Sequence, residues 1–137
     1  MQKRVSILFI EDDIIEGMKM HKTLDRIQGN YSIKEAKNGE EALTVLSEEG
    51  HLPNIILLDL NMPKMNGVEF LKVLKNDEKL KSIPAIVLTT SSNKKDLLAC
   101  YEMGIAGYVL KPLKYEDYVD KIEKVISYWS VNELITV

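Results

Sequence analysis

Acidic, hydroxyl and basic side chains stand at the ends of short apolar runs along the chain. Three acids, residues 11–13, follow the first run, and Asp59 ends the third. Thr89 closes the fourth run and Lys111 follows the fifth. Clustered carboxylates repel one another and need a cation, and oxygen-only ligands suit Mg²⁺. Since a carboxylate can also attack phosphorus, and a lysine and a hydroxyl can neutralise the transferred group, these residues predict Mg²⁺-dependent phosphoryl transfer to an aspartate.

The apolar runs are predicted to be buried strands, because each is continuous rather than alternating. The predicted strands are 5–10, 31–36, 55–58, 85–89 and 108–110, and the predicted helices are 14–28, 39–49, 66–76, 94–103 and 115–130. Five such units predict an α/β three-layer sandwich around a parallel sheet with right-handed crossovers. Ligands of open parallel sheets bind at the carboxyl ends of the strands, so the candidate residues should meet at one edge.

Helix start and stop signals agree with this order of elements. Asn38 with Glu41, and Asn93 with Asp96, resemble N-caps with an acidic partner three residues on. Gly104 stands where a helix would end before the fifth strand.

The composition predicts one domain over residues 1–137, with nothing left for an output domain after the last helix. The net charge is −3 with acids and bases mixed, which argues against a clustered basic surface for nucleic acid. No apolar stretch approaches the roughly 20 residues that span a bilayer, and the start lacks the apolar segment of a signal peptide. The single cysteine, Cys100, excludes an internal disulfide and is predicted to pack in the core. We therefore expect a cytoplasmic protein with no membrane and no direct nucleic-acid partner.

Each candidate residue also has an ordinary structural explanation. Acids after a strand are often solvated loop residues, and an aspartate such as Asp59 is commonly a helix cap or turn former. A run of threonine and serine is usually a polar loop, and the lysine-proline pair at 111–112 is usually a turn. Their joint placement at successive strand ends favours the functional interpretation.

Several short stretches carry a resemblance to a known protein family. They are 7–12 (ILFIED), 38–43 (NGEEAL), 57–63 (LLDLNMP), Gly67, 84–89 (PAIVLT) and 107–112 (GYVLKP). Together they resemble the response-regulator receiver family over essentially the whole chain. The resemblance implies a flavodoxin-like (βα)5 fold, with a parallel five-stranded sheet of order 2-1-3-4-5.

The resemblance also implies roles for individual residues near the acidic cluster. Asp59 matches the phosphoacceptor, and Lys111 would pair with the phosphoryl group. Asp12 and Asp59 would ligate Mg²⁺, and Glu11 would act on the metal largely through water. The backbone carbonyl of Asn61 would complete the ligands that the protein supplies.

Thr89 and Tyr108 match the family's two switch residues. Thr89 rather than Thr90 has the family's spacing from the acceptor and the lysine, and its hydroxyl would bond a phosphoryl oxygen in the active state. Tyr108 matches the aromatic that changes orientation as the hydroxyl moves, with a half-buried strand tyrosine as the plain alternative. Thr90 departs from the family, where this position is usually small, and its β-branched side chain would restrict access to the phosphoryl site.

The family implies a signalling switch rather than an enzyme acting on an external substrate. A sensor histidine kinase would present phosphohistidine to the acceptor, and the chain would supply its own self-phosphorylation and self-dephosphorylation chemistry. The added charge would change the face formed by the fourth helix, fifth strand and fifth helix. The signal would leave through a downstream protein, a phosphotransfer partner or a homodimer on that face. Residues 88–91 and 128–129 further resemble stand-alone receivers that partner bacterial phytochrome kinases.

Three other functions fit parts of the pattern. A phosphatase of the haloacid-dehalogenase type would want a second aspartate at position 61, which is Asn61 here. A flavodoxin-type redox module would need a phosphate-cradling loop where the acids 11–13 stand. A receiver used as a binding scaffold independent of phosphorylation stays open as the main alternative.

Overall fold

The computed structural model describes residues 4–48 and 52–135, in which five strands alternate with five helices. The strands are β1 (Val5–Ile10), β2 (Tyr31–Ala36), β3 (Ile55–Leu58), β4 (Ala85–Thr89) and β5 (Gly107–Leu110). The helices are α1 (Ile14–Arg26), α2 (Gly39–Ser47), α3 (Gly67–Lys75), α4 (Lys94–Glu102) and α5 (Tyr115–Ser130). All pairings are parallel and the sheet order is β2-β1-β3-β4-β5, so the predicted flavodoxin-like architecture is confirmed.

The central strands β1, β3 and β4 are covered by helices on both faces. Alternate residues of a strand point to opposite faces. Leu8 and Ile10 therefore pack with α2, α3 and α4, whereas Ile7 and Phe9 pack with α1 and α5. Each fully buried side chain of this kind stabilises the fold by about 1.5–3 kcal/mol. The two cores explain why the strand sequences are continuously apolar, and Cys100 lies in the first of them, as predicted.

The last helix, α5, covers the sheet with one apolar stripe. Tyr118, Val119, Ile122 and Ile126 are buried along it, and the residues between them are mostly charged. None of the described helices is long and apolar enough to cross a membrane.

Helix ends account for most differences from the predicted bounds. α1 ends at Arg26 rather than at residue 28, because Ile27 adopts an extended backbone and is buried. α2 ends at Ser47, and the predicted end at residue 49 lies outside the described residues. α4 ends at Glu102, one residue earlier than predicted. Gly104, which was predicted to mark the end of this helix, has a φ of +88°.

The predicted N-caps are confirmed at both asparagines, but their acidic partners behave differently. Asn38 accepts a hydrogen bond from the backbone N–H of Glu41 at 2.9 Å. Asn93 caps α4 through the backbone N–H two residues on, at 2.8 Å. The carboxylate of Asp96 instead accepts from the hydroxyl of Ser91 at 2.9 Å, so it ties the β4–α4 loop to the helix.

Strand register brings the candidate residues to one edge of the sheet. Ile10 pairs with Leu58 across β1 and β3, so the next residues, Glu11 and Asp59, lie side by side beyond the strand ends. The pairing of β4 with β5 places Lys111 just beyond the same edge. The fold therefore supplies the convergence that the sequence predicted.

Candidate functional site

Three carboxylates meet at the ends of β1 and β3. Each of Glu11, Asp12 and Asp59 offers an oxygen, and these oxygens lie within 4.8 Å of one another. Glu11 is 8% exposed and Asp59 is 7% exposed, whereas Asp12 lies at the surface. Like charges at this separation repel, and partial burial strengthens the repulsion. An all-oxygen set with one exposed member fits a hard divalent cation that keeps part of its water shell.

Asp13 belongs to the helix rather than to this cluster. Its carboxylate accepts a hydrogen bond from the backbone N–H of Ile15 at 2.8 Å and thereby caps α1. An aspartate at an N-cap satisfies one of the free donors of the first turn. The acid that follows the pair in sequence therefore serves the helix that starts beside the site.

Lys111 supplies the positive charge that faces the acids. Its Nζ lies 2.5 Å from Oε1 of Glu11 and 4.0 Å from Oδ2 of Asp59, and its side chain is only 7% exposed. The backbone N–H of Lys111 donates to the carbonyl of Thr89 at 2.8 Å, which fixes the lysine at the end of β5. One buried ammonium thus serves several carboxylates.

Burial and the charges of the neighbouring groups together determine the protonation of this pair. Burial raises the pKa of Glu11 to about 7, against the lowering effect of Lys111, and the charge of Asp59 raises it further. Burial acts to lower the pKa of Lys111, but its hydrogen bond to Glu11 and the surrounding acids outweigh burial and raise that pKa. Both raised pKa values favour the protonated form. Lys111 therefore stays positively charged, and Glu11 takes up a proton, and so becomes neutral, at a higher pH than an exposed glutamate does.

Thr89 and Tyr108 are joined through a residue that the sequence did not single out. The Thr89 side chain is fully buried, and its Oγ1 accepts from the backbone N–H of Ser91 at 3.2 Å. The half-buried Tyr108 donates its hydroxyl to the carbonyl of Ser91 at 2.8 Å. Ser91 is thus the common contact of the two predicted switch residues. Only its place two residues after Thr89 could have suggested this.

Two predicted residues of the site lie in its loops. Thr90 is exposed where β4 ends, next to the buried Thr89. Asn61 is exposed in the β3–α3 loop, two residues after Asp59, which keeps its carbonyl within about 7 Å of the acceptor along the chain.

Gly67 fixes the close approach of α3 to the β3 end. A Cβ built on Gly67 would lie 2.6 Å from the carbonyl oxygen of Asp59 and 2.7 Å from the Cα of Leu60. The N–H of Gly67 also donates to the carbonyl of Leu60 at 3.0 Å. The resemblance had marked this glycine, and its packing gives the reason.

Sequence reasoning missed a fourth acid. Oε2 of Glu16, in the first turn of α1, lies 3.7 Å from Nζ of Lys111. Its place on a helix, rather than at a strand end, gave no signal that it faces the site.

Comparison with known proteins gives matches over most of the chain. The model of the response regulator receiver domain matches residues 7–123. The probable methanogenesis regulatory protein FilR2 of Methanothrix harundinacea is 36% identical over 127 residues, which cover 90% of this chain and 82% of that protein. The phosphorylated cyanobacterial phytochrome response regulator RcpA superposes with a TM-score of 0.90 at 29% identity, covering 96% of this chain and 99% of that one. The Mn²⁺-bound form of response regulator Rcp1 does so with a TM-score of 0.88 at 31% identity, covering 96% and 99%.

Proposed function

The chain belongs to the response regulator receiver family of two-component signalling, and from that premise we propose that a sensor histidine kinase phosphorylates it on Asp59. The observation that carries the proposal is the position of this carboxylate, which is 7% exposed beside two further acids and 4.0 Å from the Lys111 ammonium. We also propose that residues 1–137 act as one receiver domain in the cytoplasm. The likeness to the phytochrome response regulator RcpA makes a phytochrome-type kinase the proposed donor.

Magnesium is the proposed cofactor, and the acidic cluster fits it. The carboxylates of Asp12 and Asp59 and the backbone carbonyl of Asn61 would hold the ion, with Glu11 acting through water. When bound, Mg²⁺ supplies charge neutralisation for acceptor and phosphoryl oxygens. The Mn²⁺-bound form of Rcp1 shows that a similar protein binds a divalent cation, which supports this choice of cofactor.

The residues of the chain perform the transfer as follows. A carboxylate oxygen of Asp59 attacks the phosphorus of phosphohistidine, the P–N bond breaks, and the kinase imidazole leaves. Lys111 then neutralises the new phosphoryl oxygens, which requires it to loosen its contact with Glu11. Attack of water on the same phosphorus releases phosphate and restores the carboxylate, so the chain is a self-resetting switch rather than an enzyme with an external substrate.

The proposed output runs through Thr89 and Tyr108. The Thr89 hydroxyl accepts from the N–H of Ser91 and would donate its own proton to a phosphoryl oxygen. Movement of Thr89 toward that oxygen would shift the loop and with it the Ser91 carbonyl to which Tyr108 donates. This loop leads into α4, and Tyr108 lies on β5, so its movement would change the face formed by α4, β5 and α5.

Exposed apolar side chains on this face provide a binding surface for a partner. Leu98 is 61% exposed, Tyr101 is 51% exposed and Leu110 is 40% exposed. A downstream protein, a phosphotransfer partner or a second copy of the chain would pack on them.

Phosphorylation of the purified chain tests the proposal. With acetyl phosphate and Mg²⁺, the intact mass should increase by one phosphoryl group, and EDTA should abolish the increase. Asp59→Asn should remove the labelling completely, whereas Asp13→Asn should retain it, because asparagine preserves the cap of α1.

Two results would contradict phosphorylation at Asp59. Labelling that persists in Asp59→Asn would place the phosphoryl group elsewhere. A chain that folds and takes no label under any of these conditions would favour the phosphorylation-independent binding scaffold instead.

A further inference from the structure

Glu16 points from the first turn of α1 toward the site and is not among the residues given a role above. Its side chain is 20% exposed, and its Oε1 accepts a hydrogen bond from Nζ of Lys19 at 3.3 Å. Its Oε2 is buried and finds no hydrogen-bond donor in the part of the chain that the structure describes. The cation facing this oxygen is the ammonium of Lys111, 3.7 Å away.

A buried carboxylate oxygen without a donor is unfavourable, because its hydration is lost and nothing replaces it. The distance from Oε2 to Lys111 is within ion-pair range but too long for a hydrogen bond. Glu11 holds the ammonium directly at 2.5 Å, so Glu16 stands as its second carboxylate partner. For an ammonium released from Glu11, this unsatisfied oxygen is the next carboxylate partner, 3.7 Å away.

We propose that Glu16 is a positioning residue that competes with the phosphoryl group for Lys111 and thereby limits how readily Asp59 is loaded. This inference rests on the proposed function, since it concerns the same lysine and the same acceptor. An acid 3.7 Å from the ammonium offsets the positive charge that incoming phosphoryl oxygens need, and it repels those oxygens. Both effects favour the unloaded state.

Lys19 restrains this competitor. Its ammonium binds Oε1 of Glu16 and also lies 4.4 Å from the ring centroid of Tyr118. This ion pair offsets part of the negative charge of Glu16 and holds its Oε1 toward Lys19. Removal of Lys19 should therefore leave Glu16 free to pair more tightly with Lys111, which is the opposite of removing Glu16 itself.

Titration with beryllofluoride, a phosphoryl mimic, at saturating Mg²⁺ tests the competition. Binding is followed by the NMR amide signals of Thr89 and Lys111. Glu16→Gln, which keeps the size of the side chain, should lower the half-saturating concentration roughly threefold to tenfold. Lys19→Met should raise the half-saturating concentration. Acetyl phosphate should label Glu16→Gln faster than the unchanged chain and Lys19→Met more slowly.

Matched variants on the same helix control for charge alone. Asp25→Asn removes one exposed negative charge of α1, and Lys22→Met removes one exposed positive charge. Each should leave the half-saturating concentration within about twofold, because surface charges contribute little through solvent. A Glu16 that served only the packing of α1 would change the melting temperature in Glu16→Gln without changing beryllofluoride binding.

The outcomes separate the two proposals. If the unchanged chain neither binds beryllofluoride nor takes label, the proposed function fails. If it binds normally and Glu16→Gln binds with the same affinity or more weakly, the competition by Glu16 is refuted while the proposed function stands. An equal rise in beryllofluoride affinity in Glu16→Gln and Asp25→Asn would also refute the competition, because the net charge of the chain would then explain the effect.

Discussion

At the scale of a single side chain, we propose that Thr90 restricts the space beside the phosphoryl position. It is exposed directly after the buried Thr89. The family resemblance implies that a small residue is usual at this position. Its β-branched side chain has few rotamers with which to move aside. Thr90→Ala should therefore raise the rates of labelling by acetyl phosphate and of phosphate loss, each by on the order of threefold. Time courses of the intact mass measure both rates.

Ser92 provides the comparison for this prediction, because it is exposed in the same loop. Ser92→Ala should leave both rates unchanged. Unchanged rates in Thr90→Ala would show that this side chain does not restrict access, and slower phosphate loss would show that Thr90 admits water rather than excluding it.

The residues that the sequence predicted best are those placed by strand ends. Glu11 and Asp59 follow neighbouring strands, so the parallel sheet alone brings their carboxylates together. Glu16 and Ser91 could not be predicted in this way. The direction of the Glu16 side chain depends on how α1 packs against the sheet. The role of Ser91 depends on its backbone carbonyl and N–H, which every residue type except proline possesses.

At the scale of elements, Gly67 sets the distance between α3 and the strand that carries the acceptor. A methyl group there would lie 2.6 Å from the Asp59 carbonyl, so the helix or the β3 end must move. Gly67→Ala should lower the free energy of unfolding by about 1–3 kcal/mol, the usual effect of overpacking. It should also slow labelling of Asp59 roughly tenfold, because the acceptor is displaced. Urea unfolding and mass spectrometry measure the two effects.

Gly104→Ala is the matched control for this loss of stability. Gly104 has a φ of +88°, which strains any other residue, but a Cβ there would meet nothing within 4 Å. The substitution should lower the free energy of unfolding by about 1 kcal/mol. It should leave the labelling rate unchanged in conditions where the chain is folded. If both variants lose labelling equally, stability rather than the position of Asp59 explains the effect of Gly67→Ala.

Helix ends show which local signals determine structure and which yield to tertiary contacts. The cap at Asn38 depends only on neighbours in sequence, and it formed as predicted. Asp96 was expected to support the cap at Asn93, but its carboxylate binds the hydroxyl of Ser91 instead. The capping box of Asn66 and Glu69 at the start of α3 was missed, because the helix was expected to include Asn66.

At the scale of the whole molecule, the fold gathers more negative charge at one edge of the sheet than its own cation can neutralise. Glu11, Asp12 and Asp59 lie within 4.8 Å of one another, and Lys111 is the ammonium beside them. Unfolding separates these acids, so their repulsion raises the free energy of the folded state but not that of the unfolded state. A cation bound by the native state stabilises it by about 2.7 kcal/mol at a concentration 100 times its dissociation constant. For a chain of this size, that corresponds to a rise in melting temperature of about 10 °C.

Thermal unfolding with and without Mg²⁺ measures this linkage. Mg²⁺ should raise the melting temperature of the unchanged chain. Asp12→Asn should melt higher than the unchanged chain in EDTA, because one repelling charge is gone, and should lose most of the response to Mg²⁺. Asp120→Asn, which removes an exposed acid of α5, should retain the full response, since Asp120 pairs with Lys124 at 2.9 Å on its own helix. An equal response in Asp12→Asn and Asp120→Asn would mean that Mg²⁺ acts through general screening, and the acidic edge would then not be the metal site.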